Sequence, residues 1–200
     1  MSHPHRFYAP FEPGDAGPVR LPQEEAHHAL RVARLRAGDA VSVINGCGGE
    51  IRGRLSVAGK QDVWIEAHEY VSHQPPRVAL TLAMGGLHQD KAQQEVIKRA
   101  VETGVSRVCF WHADHSQKPV KVQSRWSKTA VETCKQCGRV YMPRIDTAAS
   151  LEVFLHTFDG PGIIGITDLK DSMPANGEIE KRLAIVVGPE GDFSAREREV

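Results

Sequence analysis

Four cysteines in 200 residues, at Cys47, Cys109, Cys134 and Cys137, are too few and too scattered to staple a fold. A disulfide framework is therefore excluded as the organising principle, and a reducing cytoplasm is the expected compartment. No apolar run approaches the roughly 20 residues that a membrane helix needs. Met1 to Pro10 lacks the apolar core and small-residue cleavage site of a secretory leader. A charge bias is missing as well: 25 Lys+Arg balance 25 Asp+Glu, so net charge names no partner. One region departs from that balance. Between Gly85 and Arg144 eleven Lys/Arg stand against five Asp/Glu, an excess that suits either phosphate or an ordinary solvated surface. Internal repeats and low-complexity stretches are absent too. What is present is a 40% apolar content, enough for real cores in one large domain or two small ones.

The first third reads as β. A helix is predicted over Glu24–Leu35, followed by a turn at Arg36–Asp39. Val41 and Val43, then Ile51, Leu55 and Val57, then Val63, Ile65 and Ala67 recur at even spacing. Asn45-Gly46, Gly48-Gly49 and Gly59-Lys60 punctuate them as turns. Short half-buried strands with tight turns predict a small barrel. Ser72-His73-Gln74-Pro75-Pro76 interrupts the pattern, because tandem prolines continue neither strand nor helix, and the domain boundary is placed there.

The remainder alternates β and α. Val78–Met84 is apolar or small on both faces, as in a strand covered from both sides. Val96, Ile97, Ala100 and Val101 give Asp90–Thr103 a helical period, with Gly104 to close it. Arg107–Trp111 is a short strand. Trp126, Ala130, Cys134 and Cys137 form one helical stripe. Gly162–Thr167 and Leu183–Val187 are further strands. The order implies a parallel sheet with helices on its faces.

Gly188-Pro189-Glu190-Gly191 follows the strand Leu183–Val187, and Ser194 and Glu197 stand at capping-box spacing just beyond it. Strand, glycine loop and helix start are the parts from which α/β sheets build ligand sites at strand carboxyl ends. The loop lacks the Gly-Lys-Ser/Thr of a phosphate-binding loop and the G-x-G-x-x-G of a dinucleotide fold. Taken alone, it is equally a tight turn.

Several motifs in order resemble the RsmE family, 16S rRNA uridine-N3 methyltransferases of the SPOUT superfamily. The resemblance rests first on Gly188-Pro189-Glu190-Gly191 with Phe193-Ser194 and Glu197. His5-Arg6-Phe7-Tyr8 resembles the family's opening. His27-His28, Leu30-Arg31-Val32 and Arg34 with Gly38-Asp39 are similar to its N-terminal helix and turn. Asp90-Lys91, Lys98, Ala100, Glu102, Gly104 and Val105 resemble its central helix, and Gln136-Cys137-Gly138-Arg139 with Pro143 the segment before the next strand. Two positions depart: Asp192 stands where the family repeats glycine, and Lys135 where glutamate is common. The family's later Leu-Gly-x-Arg-Ile-Leu-Arg-like motif, which threads its trefoil knot, has no counterpart before Val200. Only six residues follow Ser194, too few for a stable helix alone, so a C-terminally truncated chain with an incomplete knot is expected.

The resemblance implies an α/β fold in two parts. Residues 1–73 would form a PUA-like RNA-binding β-barrel and residues 77–200 a SPOUT methyltransferase domain. The implied reaction is S-adenosylmethionine-dependent methylation of N3 of a uridine in 16S rRNA, uridine 1498 in the family. The target base would leave its stack to reach the methyl. The implied setting is the cytoplasm, on the 30S subunit, as a homodimer without metal or membrane. Cofactor contacts are expected from Val187, Gly188, Pro189, Glu190 and Gly191, and more weakly from Thr167. Arg6, Arg31, Lys91, Lys98 and Arg139 are candidates for gripping phosphate or stabilising the uridinate; no residue is assigned as the base. Competing readings are a non-catalytic RNA-binding fragment, a metal hydrolase using His112-Ala113-Asp114-His115 with Cys134 and Cys137, and a redox protein using those two cysteines.

Overall fold

The structure is a computed structural model and describes residues 5–12, 14, 17–59, 62–116, 119–166 and 181–200. These divide into two compact units. The first takes residues 1–75 with 131–142, and the second residues 76–130 with 143–200.

The first unit is built on a five-stranded mixed sheet. Its strands are β1 (His5–Tyr8), β2 (Val19–Arg20), β3 (Ala40–Ile44), β4 (Gly49–Val57) and β5 (Val63–Ser72), in the order β1-β3-β4-β5-β2. β1 runs parallel to β3 and the remaining pairs are antiparallel. The three strands legible as alternations form the centre, and β1 and β2 lie at its two ends. Val41, Val43, Ile51, Leu55, Val63 and Ile65 point into one core with Phe7 and Leu21. That burial of alternate side chains drives the sheet to form. The predicted helix Glu24–Leu35 is shorter and irregular. An α-turn, α1 (Gln23–His27), passes into a π-helical turn at His28–Val32. Arg34 then takes a left-handed φ of 56° and ends the run before Leu35. Residues 131–142 are bonded into this unit: Gly48 N–H donates to Val140 O at 3.0 Å and Met142 N–H to Gly46 O at 2.8 Å.

The second unit holds the parallel sheet. Its strands are β6 (Ala79–Gly85), β7 (Arg107–Trp111), β8 (Arg144–Ala148), β9 (Gly162–Gly165) and β10 (Arg182–Val187), in the order β8-β7-β6-β10-β9, parallel throughout. Val108, Cys109, Phe110 and Trp111 on β7 are all fully buried, as a central strand covered on both faces requires. One face packs Phe110 against Trp126 of α3 (Ser124–Cys137), ring centroids 5.0 Å apart. The other packs Cys109 and Trp111 with Leu151 and Phe154 of α4 (Leu151–Thr157). Ser150 caps α4 by accepting from Val153 N–H. Between β6 and β7 lies α2 (Asp90–Thr103), closed by Gly104 at φ 81°, a left-handed turn that glycine adopts without strain.

Two expectations are corrected. Trp126, Ala130 and Cys134 are the buried stripe of α3, but Cys137 on its last turn is exposed. The strand predicted over Gly162–Thr167 stops at Gly165, and Thr167 lies outside the described residues. β8 and α4 have no counterpart in the sequence reading, because five and seven residues are too short for a period to declare itself.

Candidate functional site at the carboxyl ends of the parallel strands

Val187 ends β10 in register with Gly165 of β9 and Met84 of β6. The chain therefore leaves the sheet between two strand ends, and Gly188–Gly191 turns there. Asp192 N–H donates to Pro189 O at 3.0 Å, which tightens the turn. The loop lies hard against β6. A Cβ on Gly85 would sit 2.6 Å from Pro189 Cδ and 2.7 Å from Pro189 N, so only glycine allows that approach. Glu190 reaches back over the same strand end, its Oε1 accepting from His88 N–H at 3.2 Å. The departure at Asp192 has a backbone cause. Its φ is 59°, a conformation that glycine takes freely and that aspartate tolerates better than most residues. Its carboxylate accepts from Arg198 at 2.8 Å.

The helix start after the loop is fastened to the end of β7. The capping box forms in α5 (Ala195–Arg198): Ser194 Oγ accepts from Glu197 N–H, and Glu197 Oε2 accepts from Ser194 N–H at 2.8 Å. The same carboxylate accepts from Asp114 N–H at 3.1 Å, and the Ser194 hydroxyl donates to Asp114 Oδ2 at 2.7 Å. Phe193 stacks on Trp111, ring centroids 6.0 Å apart. The glycine loop is thus held at both ends, with residues Val187 to Gly191 half-buried or exposed. Its neighbour is a cleft of about 410 Å³ that Gly86, Leu87, Gln93, Val120, Lys121 and Gln123 help to line.

The cationic candidates are distributed over both units. Lys91 is exposed on the first turn of α2, and Lys98 follows seven residues on, along the same helix face. Arg31 is exposed on the π-helical turn. Arg6 on β1 faces inward: its guanidinium lies 3.8 Å from Glu50, reaches Lys135 O at 3.5 Å, and lies over Gly138 beside exposed Arg139. Burial pushes the Glu50 carboxyl up, but the bond from His73 and the Arg52 and Arg6 guanidiniums outweigh it and hold the group below its ordinary range. The second departure, Lys135, also has a partner. Its nearly buried ammonium is 2.6 Å from Glu25 Oε1 and 2.7 Å from Glu132. Burial raises the Cys134 thiol to about 12, the opposite of an activated thiolate. The clamp of Asp114, Ser194 and Glu197 escaped sequence reasoning beyond its capping box, because its third member lies 80 residues away.

A parallel α/β sheet with a braced glycine loop at its strand ends, in a chain that also carries a separate β unit, defines a ligand-binding α/β protein with an accessory module. Residues 74–200 match the family described as RNA methyltransferase domain, and residues 21–67 match the RNA methyltransferase PUA domain. The first match spans more than half of the chain, and the chain belongs to the RNA methyltransferase family. Ribosomal RNA small subunit methyltransferase E of Helicobacter pylori strain J99 is 29% identical over 101 residues, 48% of this chain and 43% of that protein. The chain thus matches less than half the length of that relative. A crystal structure described as a probable rRNA-methyltransferase from Porphyromonas gingivalis is 27% identical with a TM-score of 0.85, covering 97% of this chain and 83% of the other. The small subunit methyltransferase E of Neisseria gonorrhoeae, solved bound to S-adenosyl methionine, superposes with a TM-score of 0.83 at 20% identity over 98% of this chain and 84% of the other. The RsmE resemblance and the two-part fold are borne out.

Proposed function

We propose that the chain methylates ribosomal RNA of the small subunit with S-adenosylmethionine, at N3 of a uridine equivalent to uridine 1498 of 16S rRNA. The observation that carries the reading is the loop Gly188–Gly191, pressed on Gly85 and braced by the Asp114–Ser194–Glu197 clamp. This cradle suits a donor held by main-chain groups, since a single added Cβ at Gly85 would collide with it. The H. pylori relative's name and the cofactor in the Neisseria structure support the substrate and donor.

Val187, Gly188, Pro189, Glu190 and Gly191 would hold the donor through backbone N–H and C=O groups, while Glu190 keeps the loop on the β6 end through His88. The bound donor supplies an already activated sulfonium methyl. What remains for the protein is orientation: fixing the loop so that the methyl and the ring nitrogen meet in line. Uracil N3 must lose its proton to accept the methyl, and fixed cations favour the resulting anion. Lys91, exposed on the first turn of α2 three residues after His88, is our candidate for that role. The first unit, with Arg31 and Arg139 exposed, would grip the ribosomal RNA, and the working form is a cytoplasmic homodimer on the 30S subunit.

The test is transfer of labelled methyl from S-adenosylmethionine to undermethylated 30S subunits, followed by mapping of the modified nucleoside. Label at N3 of one 16S uridine is expected. Cofactor-independent RNA binding without incorporation would favour a non-catalytic RNA-binding role.

A further inference from the structure

The cleft beside the glycine loop carries a chemical preference of its own. It lies between the segment after β6, the start of α2 and residues 119–123. Two of its lining side chains are glutamines whose orientation is fixed. Gln93 donates from Nε2 to Leu87 O at 2.9 Å, and Gln123 donates from Nε2 to Asp90 Oδ1 at 2.9 Å. Both partners are oxygens that only accept, so neither amide can be reversed, and each Oε1 must be the remaining end. Both Oε1 atoms are buried and accept no hydrogen bond from any described residue. Gln93 is only 4% exposed. A buried acceptor without a donor is costly, and a ligand that brings N–H groups removes the cost.

The rest of the lining narrows that ligand. Leu87, Pro119 and Val120 offer apolar walls to a flat ring, and about 410 Å³ lies within the range of small-molecule sites. Asp90 is the only carboxylate among the described lining residues, and both its oxygens are engaged, by Gln123 and by Arg125 at 2.9 Å. With Lys121 exposed on the same rim, a free ammonium ligand is disfavoured and a phosphate alongside is favoured. A uracil ring offers a single N3–H donor flanked by two carbonyls that would repel the glutamine oxygens, whereas an exocyclic amino group supplies two N–H donors, so the methyl acceptor matches the lining less well.

We infer that this cleft seats a nucleobase bearing an exocyclic amino group, from an unpaired nucleotide of the RNA other than the methylated one. The inference rests on the RNA methyltransferase reading and adds Gln93 and Gln123 as residues that read sequence context. Affinities of tetracytidylate and tetrauridylate for the chain isolate the preference, because the two bases differ at this edge in amino against carbonyl. Tetracytidylate should bind at least ~10-fold more tightly and shift the side-chain amide resonances of Gln93 and Gln123. Gln93→Leu and, separately, Gln123→Leu should lower tetracytidylate affinity towards that of tetrauridylate, which should not change. Equal affinities, or a preference that survives both variants, would overturn the inference. Titration of the same samples with S-adenosylmethionine separates the two readings. Saturable cofactor binding without base discrimination defeats only the cleft assignment; discrimination without cofactor binding defeats the methyltransferase reading and leaves the cleft.

Discussion

Gly85→Ala adds one methyl group where the glycine loop crosses the end of β6. The new carbon would stand 2.6 Å from Pro189 Cδ and 2.7 Å from Pro189 N. Ordinary carbon contacts lie at about 3.5–4.0 Å, so the loop and the strand end must part by roughly 1 Å. Neither side yields readily. β6 is hydrogen-bonded to β7 and β10, and the loop is tied down by Glu190 on His88 and by the Asp114–Ser194–Glu197 clamp. Overpacking of this kind costs about 1–3 kcal/mol. Thermal unfolding should shift down by ~2–12 °C, taking ~2–4 °C per kcal/mol for a chain of this size. Cofactor affinity, measured by calorimetry with S-adenosylmethionine, should fall by at least ~10-fold, because a ~1 Å misplacement at a positioning loop is felt strongly. Gly191→Ala is the control for stability: its Cβ would meet nothing within 4 Å, and its unfolding should move by less than ~0.5 kcal/mol. A Gly85→Ala protein with unchanged melting and unchanged affinity would show that the close approach does not shape the site.

Other consequences follow from the same geometry. Glu197→Ala removes the acceptor shared by Ser194 N–H and Asp114 N–H and should destabilise the second unit by about 1–3 kcal/mol in denaturant unfolding, more than the ~1 kcal/mol expected for Ser194→Ala. Lys135→Glu sets a carboxylate against nearly buried Glu25 and should cost about 3–5 kcal/mol, whereas Glu132→Gln, an exposed partner, should cost under ~1 kcal/mol. Cys47 and Cys137 are exposed and should react with a thiol reagent at neutral pH, while Cys109 and Cys134 should react only on unfolding. Burial raises both of those thiols to about 12, so the folded chain keeps protons that the unfolded chain has released; stability should fall as pH climbs from about 9 towards 12, read as a dropping denaturation midpoint.

Much of the second unit could be read in advance because its signals are local. The Asp90–Thr103 helix with its Gly104 stop and the strand Arg107–Trp111 need only their own side chains to declare themselves. β1 and β2 were not legible as strands, because four and two residues give no usable alternation and their partners lie far along the chain. The membership of residues 131–142 in the first unit was equally hidden. It depends on Lys135 meeting Glu25 and on Tyr141 OH donating to His73 O at 2.8 Å. In the site, the glycine loop was visible as a motif, but its contact with Gly85, its clamp to Asp114 and the two unanswered glutamine oxygens are facts of tertiary placement. Asp192 and Lys135 read as departures in sequence and as fitted residues in structure, one by its backbone angle and the other by its acidic partners.

The central claim is that the main chain after β10 holds the methyl donor, and a backbone amide NMR titration with S-adenosylmethionine tests it most directly. The account predicts saturable one-site shifts centred on the amides of Val187, Gly188, Glu190 and Gly191, with His88 following through Glu190. A titration that leaves these amides unmoved while others saturate, or that moves none, would contradict it.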